Sequence, residues 1–390
     1  MKDKYLYWLD RIEGLGNTAK KNLLEAFGSA GEVYQGQEKL LEYILDEKKL
    51  ALVRKARKEL EPEEAYEAAC RKGIQMVCCR DLEFPKKLQG IPEAPFCVYY
   101  KGNLPDHTLP AVAVIGAREC SQYGEYVARE LGKMLGEQGI QVISGMAKGI
   151  DGISQSAALE AGGISFGVLG CGVDICYPKS NYRLYEELIS IGGILSTYPP
   201  GTPPQPKLFP PRNRIVSGLA DVLVVIEARQ KSGTYITVEM ALEQGREIYA
   251  VPGRVTDRLS DGCNKMLKEG AHVFLSPEDF LMDLQELIPF GMEELQKKQE
   301  REVYNGGKRK EKKEGAQGKG KQEALQAQDT LTQVLSEVLD FYPQSIEEIA
   351  LRLQEKYKIR KKTEELTTKL MYMCLYGQAK QESSGWFSGK

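Results

Sequence analysis

The chain has 390 residues, 53 Lys+Arg against 55 Asp+Glu and a formal charge of −2, a length that predicts two or three folding units at about 100–200 residues each. Its 42% hydrophobic and 28% charged residues are ordinary for a water-soluble protein. No apolar run reaches the roughly 18 residues of a membrane span, and the opening MKDKYLYWLDRIEG lacks a secretion-signal core, so a cytoplasmic protein without membrane contact is expected.

Residues 1–72 read as short amphipathic helices over 5–12, 17–27, 36–49, 51–59 and 63–72. Gly14-Leu15-Gly16 opens the second of them as a tight glycine turn. Such a turn either offers backbone N–H groups to a phosphate or simply lets two helices connect closely. The balanced charge of this stretch favours the second reading.

From about 74 to 290 strands alternate with helices. The apolar run 112–115 has the pattern of a strand buried on both faces. Further strands are expected at 140–144, 164–169, 194–196, 222–227, 248–251 and 271–275, with helices at 123–137, 152–161, 182–191, 213–219, 234–244 and 263–268. A Pro-rich loop is expected over 198–211. This alternation predicts an α/β fold with a doubly wound, mostly parallel sheet. Residues 291–328 lose their apolar content and predict a charged, disordered linker. In 329–390, helices at 331–339 and 363–374 flank a Ser345/Glu348 capping box, and a hairpin follows, which is a winged-helix-like plan.

Ligands of such sheets bind at the carboxyl ends of the strands. The residues there are Gly116-Ala-Arg118; Ser144-Gly145 with Lys148 and Asp151; Gly170-Cys-Gly172 with Asp174; Phe209-Pro-Pro-Arg212-Asn213-Arg214; and Glu227-Ala-Arg229-Gln-Lys231-Ser232-Gly233-Thr234. Small residues at helix starts, with cations beside them, make an anion site. The repetition of Arg118, Lys148, Arg212, Arg214, Arg229 and Lys231 predicts a pocket for several phosphates. Phe209, Tyr198 and Tyr235 lie in or beside these loops. An aromatic beside cations suits base stacking over a phosphate track, although Phe209 could equally anchor its loop to the core.

No P-loop and no dinucleotide fingerprint is present, so no cofactor is expected. The nine cysteines form no CxxC pair, and His107 and His272 are the only histidines, which argues against a disulfide frame or metal site. Asp151, Asp174, Glu227 and Glu239 are acids near the same edge, suited either to acid–base work or to helix capping and Arg pairing.

The segments 112–118, 144–151, 209–215, 232–237, 251–253 and 260–264 together closely resemble the DNA-processing protein A family (DprA, also called Smf), over about residues 70–280. The resemblance implies an extended Rossmann-like fold over 73–290, with a helical SAM-like or helix-hairpin-helix domain before it and a winged-helix-like domain after it. It implies single-stranded DNA binding, homodimerisation and loading of RecA recombinase in natural transformation, with no enzymatic activity. By motif position Arg118, Lys148, Phe209, Arg212 and Arg214 would line the DNA pocket, with Gly116, Ser144 and Gly145 giving backbone approach. Asn213, Lys231, Ser232, Gly233 and Thr234 complete the expected site. Lys148, Gln155 and Thr197 stand where the family more usually has Arg, His and Glu. Two other readings are a nucleoside-monophosphate phosphoribohydrolase-like enzyme, echoed by Ser232-Gly-Thr234 with Glu239, and an adaptor acting through the C-terminal tail.

Overall fold

Six helices lead the chain in the computed structural model: α1 (Lys4–Asp10), α2 (Asn17–Phe27), α3 (Ala30–Gln35), α4 (Glu38–Ile44), α5 (Glu47–Glu59) and α6 (Pro62–Arg71). The structure describes residues 3–288, 334–335, 338–339, 344–357, 359, 361, 363–375, 379–383 and 386–389. Asp3, Ser29 and Asp46 cap α1, α3 and α5 by accepting from the N–H of Tyr5, Glu32 and Lys49. The cap at Asp46 divides the single helix expected over 36–49 into α4 and α5, and Ser29 starts a helix that periodicity does not reveal. In both places a local side-chain bond outweighs hydrophobic spacing.

The remaining elements of this unit are β1 (Gln75–Cys78), α7 (Lys86–Gln89), β2 (Cys97–Gly102), β3 (Ala111–Gly116), α8 (Gln122–Glu137), β4 (Gln141–Ser144), α9 (Ile150–Glu160), β5 (Ser165–Val168), α10 (Tyr182–Ile191) and β6 (Gly193–Ser196). They continue as α11 (Phe209–Leu219), β7 (Val222–Ile226), α12 (Gly233–Glu243), β8 (Glu247–Ala250), α13 (Asp261–Lys268), β9 (His272–Val273) and α14 (Pro277–Leu287). The nine-stranded sheet has the order β1-β2-β6-β5-β4-β3-β7-β8-β9. Strands β3 to β9 are parallel, while β2 runs antiparallel to β6 and to β1. The strand order reverses at β3, between β4 on one side and β7 on the other, which makes the carboxyl ends there the binding crevice of a doubly wound sheet.

Alternation along β3 divides its side chains between two cores. Val112 and Val114 pack with Leu131, Leu135 and Phe280 on one face. Ala113 and Ile115 pack with Ile215, Leu219 and Val238 on the other. Strands β1 and β2 are short antiparallel additions at the edge, too brief to show in the sequence as a period.

The leading helices share a core with this edge. Trp8, Leu23 and Val53 belong to the same buried cluster as Phe96, Cys97 and Tyr99, within a compact unit spanning Met1–Glu300. Inside it, buried Lys20 Nζ lies 2.9 Å from Asp10 Oδ1, and Tyr99 OH donates to Asp10 Oδ2 at 2.6 Å. One carboxylate thus ties α1 and α2 to β2.

The second unit, Arg301–Lys390, contains β10 (Gln344–Ser345), α15 (Ile346–Tyr357), α16 (Thr363–Leu375), β11 (Ala379–Ser383) and β12 (Trp386–Gly389), with sheet order β10-β12-β11. The capping box closes in both directions: Glu348 N–H donates to Ser345 Oγ at 3.2 Å and Ser345 N–H to Glu348 Oε2 at 2.8 Å. The linker expected at 291–328 and most of the helix expected at 331–339 lie outside the described residues.

Removing Asp10 strands a buried ammonium. Asp10→Ala should therefore lower stability by about 3–5 kcal/mol, measured by urea unfolding, and Asp10→Leu combined with Lys20→Met should recover most of that loss. Equal stability of Asp10→Ala and the parent would deny the ion pair its role.

Candidate nucleic-acid interface

Arg118 emerges, exposed, two residues beyond β3. Its Cζ lies 5.8 Å from the centre of the Phe209 ring, and the Cζ of Arg212 lies 5.7 Å from the same centre. Tyr177 approaches Phe209 with ring centroids 5.7 Å apart at 32°. These side chains and exposed Lys148 line a cleft of about 250 Å³, which adjoins one of about 530 Å³ lined by Arg118, Asn213, Ser232, Gly233 and Thr234. Gly170 leaves room for the aromatic wall, since a Cβ there would lie 2.7 Å from Phe209 Cδ1. Gly116 lets β3 approach β7, because a Cβ would collide with the Ile226 carbonyl. It is a packing glycine at the floor of the larger cleft.

The expected loop over 198–211 is shorter than its proline content suggests. Helix α11 starts at Phe209, with Pro210 and Pro211 in its first turn, where a missing N–H costs nothing. This start decides which arginines reach the cleft. Residues two apart on a helix point about 200° apart, so Arg212 and Arg214 face opposite ways. Arg214 turns from Arg118 to pair with Glu243 at 3.1 Å and Glu93 at 3.4 Å. It lines a different groove, beside Lys21 and Phe96, and not the clefts of Arg118 and Phe209 where it was expected.

Arg212 is buried beneath the cleft. Its Nη1 donates to the carbonyls of Gly145, at 2.6 Å, and of Val168. A Cβ on Gly145 would lie 2.5 Å from that nitrogen, so this glycine makes space for the guanidinium. Asp151 faces Arg212 and accepts from the Gly145 N–H at 3.1 Å. Burial pushes the Asp151 carboxyl above its ordinary range, against the opposing pull of Arg212 and the surrounding N–H groups. Ser144 Oγ donates to the Val114 carbonyl at 2.6 Å and is fully buried. Ser144 and Gly145, expected to offer themselves to a phosphate, are both buried here, with an internal carboxylate already at that turn. Gln155 braces the same turn, accepting from the Met146 N–H at 3.1 Å and donating to Ser165 Oγ and the Phe166 carbonyl.

The other acids also have structural partners. Glu227 accepts from the Ser121 N–H at 2.8 Å and from its hydroxyl, at the start of α8. Asp174 pairs with Lys72 at 2.8 Å and accepts from the Gly201 N–H. Glu239 lines a groove with Leu242 and Lys265, away from Ser232–Thr234. Among the described residues no group of three His, Cys, Asp or Glu is placed to hold a metal ion, and all nine cysteines are free.

Lys231 is exposed beside Ser232, whose buried Oγ has no hydrogen-bond partner in the larger cleft. Sequence reasoning missed Tyr177, which lines both clefts. An aromatic followed by Pro178 and a cation, after the strand at 164–169, is the signal that would have found it.

The family model of DNA recombination-mediator protein A matches residues 75–285, more than half of the chain. The chain belongs to this family. It is 42% identical over 206 residues to DNA processing protein DprA of Streptococcus pneumoniae, spanning 52% of this chain and 71% of the relative. It is 32% identical over 296 residues to Protein Smf of Synechocystis, spanning 71% and 72%. The crystal structure of DNA processing protein A from Streptococcus pneumoniae superposes with a TM-score of 0.62 at 34% identity, covering 72% of this chain and 97% of that one. That from Helicobacter pylori, described for its single-stranded DNA binding mode, gives 0.50 at 28% identity over 55% and 96%. The DprA/Smf resemblance and the Rossmann-like sheet both stand on these likenesses.

The buried and exposed arginines of this family member should separate in experiment. Arg212→Ala should cost about 3–5 kcal/mol of stability, by removing the buried charge that faces Asp151 and the donor to two carbonyls, whereas Arg118→Ala should stay within about 1 kcal/mol. Urea unfolding measures both, and an Arg212→Ala protein as stable as the parent would return that residue to the ligand surface.

Proposed function

We propose that this protein binds single-stranded DNA at the carboxyl edge of its sheet and passes it to a RecA-class recombinase, as a cytoplasmic homodimer that turns over no substrate. Family membership supports a role in recombination-linked DNA processing, natural transformation included. The observation that carries the single-strand reading is the group Arg118, Lys148, Tyr177 and Phe209 around one cleft. Exposed rings receive unpaired bases irrespective of sequence, and the flanking cations follow the phosphates. The 250 Å³ space bounded by aromatic walls suits a base that has left its stack.

A nucleotide-hydrolysing reading has less support, because Glu239 and the Ser232–Thr234 turn line different clefts. Homodimerisation fits the β9 edge, which among the described residues pairs with β8 alone, and which carries exposed Val273 with exposed Leu275 beside it. The C-terminal unit fits a winged-helix-like module for partner contacts.

Arg118→Ala should weaken binding to oligothymidylate and reduce its log–log salt slope by about 0.7, the share of a single phosphate, as read by fluorescence anisotropy. Phe209→Ala should cost about 1–3 kcal/mol of binding if a base stacks on the ring. Unchanged affinity and slope in both variants would sink the pocket assignment. Adding the protein to RecA and single strands should speed filament assembly, and Arg118→Ala should not; equal rates with and without protein would end the loading proposal.

A further inference from the structure

The cations of this protein fall into two populations. On the outer faces of α8, α10 and α13, Arg129, Lys133, Arg183 and Lys265 sit in i,i+4 ion pairs with Glu125, Glu137, Glu187 and Glu269. Such pairs nearly cancel each other's field beyond the Debye length. At the carboxyl edge of the sheet the pattern reverses. Lys148 after β4, Arg118 after β3, Arg229 and Lys231 after β7, and Arg258 after β8 are all exposed. None of these five has a carboxylate within ion-pair distance among the described residues.

Strand order turns this set into a line. The strands run β4-β3-β7-β8, so three spacings, about 14 Å, separate the Lys148 loop from the Arg258 loop. The last two loops form one ledge: Gly262 N–H donates to the Ala228 carbonyl at 2.7 Å, and Tyr235 OH to the Gly262 carbonyl at 3.0 Å. Gly262 permits that approach, since a Cβ would strike Ala228 O. Of the carboxylates in these loops, Glu227 is buried and holds the start of α8 through Ser121, half-buried Asp257 accepts from the Leu259 N–H through Oδ1, and Asp261 stands in the first turn of α13. The ledge therefore presents Arg229, Lys231 and Arg258 to solvent, outside any ion pair among the described residues.

We propose that the single-strand track continues past the aromatic cleft, crosses β7 and reaches the loop after β8, where Arg229 and Arg258 take further phosphates. Arg258 lies outside every motif read from the sequence and joins the site only through strand order. This inference rests on the single-strand reading and adds a direction to it. The strand passes from the Tyr177–Phe209 walls toward β8, and binding strength grows with oligonucleotide length until the ledge is filled.

The test compares the full chain with an Arg229→Ala/Arg258→Ala variant on oligothymidylates of about 4 and about 16 nucleotides, the ends of the range that single-strand sites cover. The variant should bind the long oligonucleotide more weakly, with a salt slope lower by about 1.4 for the two phosphates it no longer neutralises, and should bind the short one as the parent does. An Arg258→Glu variant should deepen the loss on the long oligonucleotide alone, and circular dichroism should show both variants folded. Parent-like affinity and slope on the long oligonucleotide would overturn the extended track, as would an equal loss on both lengths. If the parent bound neither length, the single-strand reading itself would fall, a result distinct from either outcome.

Discussion

Arg212 reaches from the first turns of α11 across the ends of β4 and β5, where its Nη1 donates to the Gly145 and Val168 carbonyls and its charge faces Asp151. A guanidinium removed from water needs both kinds of compensation, because desolvation outweighs an imperfect partner. Satisfying it dictates much of the surrounding chain. Gly145 has no side chain because the guanidinium needs its space. Asp151 fills the turn before α9, and Gln155 holds the Met146 N–H behind it. The start of α11 is thereby pinned over the crevice, with Phe209 one turn above the buried arginine and facing Arg118.

The cleft therefore sits on a charged floor whose groups are already engaged within the protein. Buried polar groups that hydrogen-bond one another stiffen the base, and a stiff base is what an aromatic platform requires. The exposed layer above it consists of Arg118, Lys148, Tyr177 and the Ser232–Thr234 turn. Its cations lack carboxylate partners among the described residues, in contrast to those on the helix faces. A total charge of −2 is compatible with such a track because exposed charges act within roughly a Debye length, about 8–10 Å. Charges on the far side of the molecule contribute little there.

Much of this was legible in order along the chain. The apolar run at 112–115 announced a strand buried on both faces, and the Gly-rich turns after successive strands marked the binding edge. The family motifs pointed to Arg118, Lys148, Phe209 and Arg212 together. Roles were harder to read than positions. Arg212 and Arg214 look alike on paper, yet one supports the floor and the other leaves the site for Glu93 and Glu243. Ser144 and Gly145 read as phosphate ligands because small residues before a helix commonly are, and a carboxylate six residues along the chain had taken that place.

The alternation of strands and helices and the family both follow from the sequence alone, since each is written in local spacing and contiguous motifs. Which cations face solvent was settled only on folding, because helix phase turns neighbouring arginines to opposite sides. Folding also settled which residues stand together. Tyr177 and Arg118 meet Phe209 from two separate loops and the start of α11, and the Arg258 loop shares their edge only because β8 lies beside β7. Strand order is a long-range property of packing, and no window of sequence contains it.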